Sequence, residues 1–184
     1  MPEPLFLTLG SNIEPERHLS AAIARLDSVG RILAISNVYQ NPAIGPRPEQ
    51  DFLNVAVLLD TELPLAEIRA RLRQIESSLG RVRSADKYAA RPIDIDVSLL
   101  GSQIIDAADV RLPDPDILKR PYVAVPLAEL APRFRHPLTG HSLAAIANRL
   151  RGSASLTLRR DVTTRLQGLL APADSRSRPE DDRD

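Results

Sequence analysis

The chain has 184 residues, with 24 Lys plus Arg against 24 Asp plus Glu and no Cys. That length fits one domain with a real core. The charge balance gives no general pull toward nucleic acid or a membrane surface, and without Cys neither a disulfide framework nor a thiolate metal site can form. LFLTLGS, residues 5–11, reads as a first strand that runs into Gly10. Residues 15–29 carry a stripe of Leu19, Ala22, Ile23, Leu26 and Val29 behind Pro15, which predicts an amphipathic helix. Residues 31–40 read as a strand, and 41–50 as a loop by three prolines and a glycine. Residues 51–60 read as a strand with Leu53, Val55, Val57 and Leu59 on one face, and 64–79 as a helix with Leu65, Ile68, Leu72, Ile75 and Leu79 in register. Residues 80–92 are polar and basic and have no period. In ARPIDIDVSLL, residues 90–100, Ile93, Ile95, Val97 and Leu99 alternate with Asp94, Asp96 and Ser98, as in a strand.

The order β-α-β-β-α-β predicts a ferredoxin-like α+β sandwich, an antiparallel sheet with its helices on one face. The other face is then expected to be free for a site. After Gly101 the expectations are a proline-punctuated loop over 111–121, short helical or irregular structure over 122–132, and a helix over 142–150. The expected division is a domain over 1–151, an extension over 152–171 and a charged, disordered tail over 172–184. No run approaches the ~18 apolar residues of a membrane helix. The start, MPEPLFLTLGS, lacks the basic opening and long apolar core of a signal peptide, so a cytoplasmic monomer working on small molecules is expected.

Asp is a poor strand former, yet Asp94 and Asp96 stand at i and i+2 of one strand. Side chains so placed lie ~7 Å apart and project the same way, which suits one or two Mg²⁺ ions shared with substrate phosphates. A D-x-D pair also fits a solvent-facing strand surface bridged to nearby arginines. Arg81, Arg83, Lys87 and Arg91 immediately precede it, and cations beside a metal-carboxylate pair suit a polyphosphate undergoing phosphoryl transfer. The same cations could simply balance the two aspartates. Phe52 and Asn54, also i and i+2, lie opposite the Leu53 row, where a flat heteroaromatic ligand could stack and hydrogen-bond. They could equally be an ordinary half-buried pair. There is no P-loop, no dinucleotide fingerprint and no HExxH, so phosphates must be held by other means.

KYAARPIDIDV resembles the signature of the 6-hydroxymethyl-7,8-dihydropterin pyrophosphokinase family, with its R-x-x-D-x-D core at Arg91, Asp94 and Asp96. LTLGSNI, YQNPAIGP, DFLNVAV, IESSLGRVR and KRPYVAVPLAELAP resemble five further family segments, in family order, over roughly residues 5–150. The resemblance implies that Asp94 and Asp96 bind two Mg²⁺ ions bridging the phosphates of ATP, the co-substrate. It implies that Arg81, Arg91 and Arg120 contact those phosphates, and that Arg83 and Tyr88 belong to a lid over the nucleotide. Phe52 and Tyr122 would sandwich the pterin, Asn54 would hydrogen-bond it, and Asn41 with Pro42, Ala43, Ile44 and Gly45 would complete the pocket. Glu76 would help to organise the phosphate loop. The hydroxymethyl oxygen would attack the β-phosphorus of ATP and expel AMP, a step of folate biosynthesis.

The chain departs from the family pattern at Ala89-Ala90, where Gly-Pro is usual, and at Asp114, where a nucleotide-contacting His is usual. Asp114 is expected on the ATP side, neutralised by Arg111 or Lys119. A paralogue acting on a related pterin and a weakly catalytic pterin-binding module are the alternative readings.

Overall fold

The computed structural model describes residues 2–45, 49–82, 89–153 and 155–170. Arg83, Lys87, Tyr88 and the tail over 172–184 lie outside the described residues. In chain order come strand β1 (Glu3–Ser11), helix α1 (Pro15–Ile23), strands β2 (Arg31–Ile35), β3 (Tyr39–Asn41) and β4 (Phe52–Thr61), helix α2 (Leu65–Ser78) and strand β5 (Asp94–Leu100). A hairpin of β6 (Ile105–Ala107) and β7 (Val110–Leu112) follows, then helices α3 (Pro121–Leu130) and α4 (Leu143–Leu150), strand β8 (Thr157–Leu158) and helix α5 (Arg160–Gln167). The sheet is antiparallel in the order β5-β1-β4-β3-β8, and β2 pairs with the far half of β4. Taking β2 and β3 as one interrupted strand gives the ferredoxin-like order expected from the sequence.

Alternation places Leu5, Leu7 and Leu9 of β1 beside Leu53, Val55, Val57 and Leu59 of β4 on one face. Leu19, Ala22 and Ile23 of α1 and Ile68, Leu72 and Ile75 of α2 bury that face. Three local departures shape the rest. The first is the end of α1 at Ile23, six residues short of the expected helix, with a 3₁₀ turn at Leu26–Ser28 keeping Leu26 and Val29 in the core. Gly30 follows this turn and passes under β4, where an added Cβ would meet Asp60 O at 2.3 Å.

The second departure is the break between β2 and β3. Ile35 faces Val57 and Tyr39 faces Asn54, so four steps oppose three. Buried Ser36 stays in register opposite Ala56, its N–H donating to Ala56 O at 3.0 Å and its Oγ accepting Ala56 N–H at 2.9 Å, so the extra residue falls at Asn37–Val38. The third lies in β5, where Leu7 faces Val97 but Phe6 faces Leu99. Ser98 is bulged, its Oγ 3.0 Å from Thr8 Oγ1. Leu99 therefore leaves the Ile93–Ile95 row on which alternation placed it and joins the opposite core.

That opposite core corrects the expectation of a wholly free second face. Val123, Ala124 and Leu127 of α3 and Leu143, Ile146 and Ala147 of α4 cover Phe6, Ala56 and Leu99. Residues 122–132, expected to be short helical or irregular, are mostly the body of α3. The end of the face that remains open carries Gly10, Phe52, Asn54, Asp94 and Asp96.

Candidate active site

Register places the polar side chains in two rows across the open end. One row runs Asp94, Gly10, Asn54, Tyr39, and the next runs Asp96, Thr8, Ala56. Gly10 is the low point of the floor, since a Cβ there would lie 2.9 Å from Asn54 Oδ1. Asn54 Nδ2 donates to Asn41 Oδ1, and Asn41 Nδ2 donates to Pro42 O at 2.9 Å. One amide pair thus joins β4 to the start of the 42–45 loop. Asn12, buried just after β1, ties the rim together: its Oδ1 accepts Arg91 N–H at 2.7 Å and its Nδ2 donates to Gln50 O at 3.3 Å.

The two aspartates differ sharply. Asp94 is bridged on one oxygen by Arg81 and on the other by Arg91. Arg81 also donates to Glu76 Oε1 at 2.8 Å and to Ile93 O at 3.0 Å. Glu76 is buried on α2, and the same oxygen accepts Ile95 N–H at 2.9 Å, so it holds Arg81 and the edge of β5 together. Burial opposes the charge on Arg81, but Asp94, then Glu76 and Asp96, more than offset it and raise its pKa. Asp96 has no ion-pair or hydrogen-bond partner among the described residues. The protein crowded around it, then Asp94, Asp114 and Glu76, push its carboxyl up to about 8 against the pull of Arg81. Water still reaches it through the mouth of the cleft, because the side chain itself is exposed.

Two cavities meet along this edge. The first, of about 420 Å³, is lined by Asn41, Ala43, Ile44, Phe52, Asn54, Arg120 and Tyr122, with Arg91, Thr8 and Gly10. Pro42 and Gly45 belong to the same loop without lining it. The second, of about 440 Å³, runs between α2 and the β6–β7 hairpin and is lined by Arg69, Arg73, Glu76, Arg81, Asp109, Val110 and Arg111. Asp94, Asp96, Asp114 and Asp116 line both and form a shared acidic wall. Tyr122, in the first turn of α3, has its hydroxyl pKa raised by burial.

Asp114 Oδ1 accepts Asp116 N–H at 2.9 Å and caps the 3₁₀ turn Pro115–Leu118. Burial raises the Asp114 pKa, and the charge of Lys119 pulls it back. Arg111, expected as a neutralising partner, instead pairs with Asp106 at 3.0 Å, the residue opposite it in the hairpin. Among the described residues, Arg120 Nε is buried without a hydrogen-bond partner beside the first cavity.

Sequence reasoning did not single out Thr8, Asn12, Asp116, Arg69 or Arg73. A glycine inside a strand, as at Gly10, signals a close approach. No local pattern marks the others, which are brought in by pairing and by the hairpin.

A family model for 7,8-dihydro-6-hydroxymethylpterin-pyrophosphokinase (HPPK) matches residues 6–132. The chain belongs to the HPPK family. It is thus a pyrophosphokinase of the folate pathway, as the resemblance implied. It is 33% identical over 140 residues to the 2-amino-4-hydroxy-6-hydroxymethyldihydropteridine pyrophosphokinase of Pseudomonas aeruginosa, covering 74% of this chain and 86% of that protein. It is 38% identical over 140 residues to the protein of that name from Porphyromonas gingivalis, covering 72% of this chain and 93% of that one. Among solved structures it resembles an HPPK-DHPS in complex with substrates (TM-score 0.64, 14% identity, 83% of this chain) and wild-type Plasmodium falciparum HPPK-DHPS (TM-score 0.63, 11% identity, 81% of this chain). This chain spans 44% and 45% of those two longer chains, and at such identities the likeness is one of HPPK fold. No helix among the described residues is long and apolar enough to cross a membrane.

Proposed function

We propose that this HPPK-family chain transfers pyrophosphate from ATP to the hydroxymethyl group of 6-hydroxymethyl-7,8-dihydropterin and releases AMP, with Mg²⁺ held at Asp94 and Asp96. The observation that carries this reading is the meeting of the two cavities at the acidic wall. The first has a flat, amide-edged end at Phe52, Asn54, Asn41 and Tyr122 that suits a pterin. The second has an arginine rim, Arg69, Arg73, Arg81 and Arg111, that suits a nucleotide. The two substrates would then face each other across Asp94 and Asp96.

The donor set fits the metal. Among the described residues no three acidic or His side chains cluster to hold an ion by themselves. Two carboxylates completed by phosphate oxygens and water are the usual holding of Mg²⁺. Asp96, unpaired and crowded by other acids, is the carboxylate a cation would relieve. Bound Mg²⁺ supplies charge that neutralises the phosphates and shapes the chain for in-line attack.

The protein's own part is positioning. Asn54 and Asn41 orient the ring edge, while Phe52 and Tyr122 hold its faces. Arg91 and Arg81, which stand at Asp94 in this structure, and Arg120, through its Nε–H, would contact the phosphates. Arg83 and Tyr88 keep the nucleotide-side roles that the resemblance assigns them. The hydroxymethyl oxygen forms its bond to the β-phosphorus, the α–β bridging bond breaks, and AMP leaves with the bridging oxygen. The hydroxyl proton passes to solvent. No covalent intermediate is required, and orientation with charge stabilisation carries the rate.

The test is an assay of ATP with 6-hydroxymethyl-7,8-dihydropterin, with and without Mg²⁺, separating AMP from ADP. AMP formed only with pterin and Mg²⁺ supports the reading. ADP, or no turnover by folded protein, refutes it.

A further inference from the structure

The family match ends at residue 132, yet residues 155–170 are tied to the strand that leads into the pterin-side cavity. β8 lies along the outer side of β3, with Leu158 opposite Tyr39 and Thr157 opposite Gln40. Just beyond it, Arg159 N–H donates to Val38 O at 2.9 Å. The N–H of fully buried Val38 donates to Thr163 Oγ1 at 2.9 Å, and that hydroxyl donates to Arg159 O at 2.8 Å. The Arg159 guanidinium reaches Gln40 Oε1 at 3.1 Å and Glu16 Oε1 at 2.9 Å, while Arg165 holds the other Glu16 oxygen at 2.7 Å. Gln167 Nε2 donates to Ile35 O at 3.0 Å. Val162 and Leu166 anchor α5 in the main core.

The hydrogen bonds from the extension to the sheet fall on residues 35–40, immediately before Asn41. β3 is only three residues long, so its inner pairing with β4 fixes it weakly. Without the extension it would be a short edge strand, and the buried N–H of Val38 would lack an acceptor. Asn41 ends this strand and accepts the hydrogen bond that orients Asn54. The setting of both amides thus depends on what holds β3 from outside. None of the residues of the extension lines either cavity, so any effect on the first must pass through β3 and Asn41.

We propose that residues 155–170 are a brace for the pterin site. Thr163 acts through Val38, and Arg159 through Gln40, as positioning residues for Asn41 and Asn54. This rests on the assignment of the first cavity to the pterin. The brace therefore sets affinity for the pterin and leaves ATP binding and the chemical step alone.

The test uses full-length protein. Thr163→Val keeps shape and burial but removes the acceptor for Val38 N–H, and Thr163→Ser restores it. Steady-state kinetics with each substrate varied are read beside equilibrium titration of the pterin without ATP. Thr163→Val is expected to raise the pterin KM and Kd about tenfold, with kcat and the KM for ATP within about twofold, and Thr163→Ser is expected to recover wild-type values. Amide hydrogen exchange over residues 38–41 is expected to quicken in the Val variant. Arg159→Gln, a change in a partly exposed side chain that leaves the core intact, is expected to show the same selectivity at about threefold. Unchanged pterin constants in both variants, or equal rises in both KM values, would overturn the brace. Wild-type protein that binds no pterin would overturn the parent reading, and with it this one, before any substitution is made.

Discussion

Adding one methyl group at Gly10 is the sharpest probe of the cleft floor. The backbone there has no positive φ, so Ala is tolerated by the strand itself. The obstacle is the 2.9 Å between the new Cβ and Asn54 Oδ1. Ordinary contact begins at 3.4 Å, so Asn54 must retreat by 3.4 minus 2.9, or 0.5 Å. It cannot do so freely, because its Nδ2 is held by Asn41. Once that hydrogen bond is broken, the amide presents both its donor and its acceptor to the ring at the wrong angle, and each misplaced hydrogen bond costs about 1 kcal/mol of binding. The sum of about 2 kcal/mol is a loss of roughly 30-fold in pterin affinity. ATP affinity should hold, since Gly10 does not line the second cavity. The assay is equilibrium titration of Gly10→Ala with the pterin and separately with ATP and Mg²⁺, after confirming that the variant is folded and unfolds cooperatively. Pterin affinity within threefold of wild type, or equal losses for both ligands, refutes the placement of the ring over Gly10 and Asn54.

Asp96→Asn should abolish turnover yet stabilise the ligand-free protein at pH 7 by on the order of 1 kcal/mol, the size being held down by solvent screening at this exposed side chain. A carboxyl pushed from 3.8 to about 8 keeps more protons in the folded state than in the unfolded one, so wild-type stability falls as pH rises through that window and the Asn variant lacks this slope. Melting curves from pH 5 to 9 check it, and a less stable variant at pH 7 would contradict it. Glu76→Gln keeps an acceptor for Ile95 N–H but removes the charge facing Arg81. It should lose about 2 kcal/mol in chemical denaturation, and a change below ~0.5 kcal/mol would mean that Arg81 does not need it. Asp114→Asn keeps the cap on Asp116 N–H and removes one charge from the acidic wall, so the KM for ATP should fall about threefold at unchanged stability. A tenfold rise, about 1.4 kcal/mol, would instead make the Asp114 carboxylate a working part of the nucleotide site.

Local periodicity carried the sheet and its helices, because a strand with one buried face or a helix with one stripe writes its partner surface into its own residues. The same period put Asp94 and Asp96 on one face. What periodicity could not carry was anything decided by a partner strand. The break after Ser36 follows from counting against β4, and the flip of Leu99 follows from the bulge at Ser98 against β1. α3 was blurred for another reason: its Val123, Ala124, Val125, Leu127 and Ala128 are all buried, so it shows no polar stripe. Arg111 illustrates the limit at the site. Nearness in sequence offered it to Asp114, and cross-strand register in the hairpin gave it to Asp106. The extension looked uninformative because its polar residues, Thr163 and Arg159, acquire meaning only against Val38 and Gln40.

The hydrogen bonds along the outer edge of β5 also bear on its openness to a strand from another molecule. Ile95 N–H is already occupied by Glu76, and Ser98 C=O by Asp114 N–H. At the opposite rim β8 is two residues long and turns at once into α5. At Ile95 and Ser98 a strand from another molecule finds the donor and the acceptor already taken, which interrupts the row that strand addition needs. The side chain that closes the β5 rim is also the one that steadies Arg81. A change that loosens Glu76 would therefore free an edge N–H and unsettle Arg81 together, and light scattering of a concentrated sample would read the first of these.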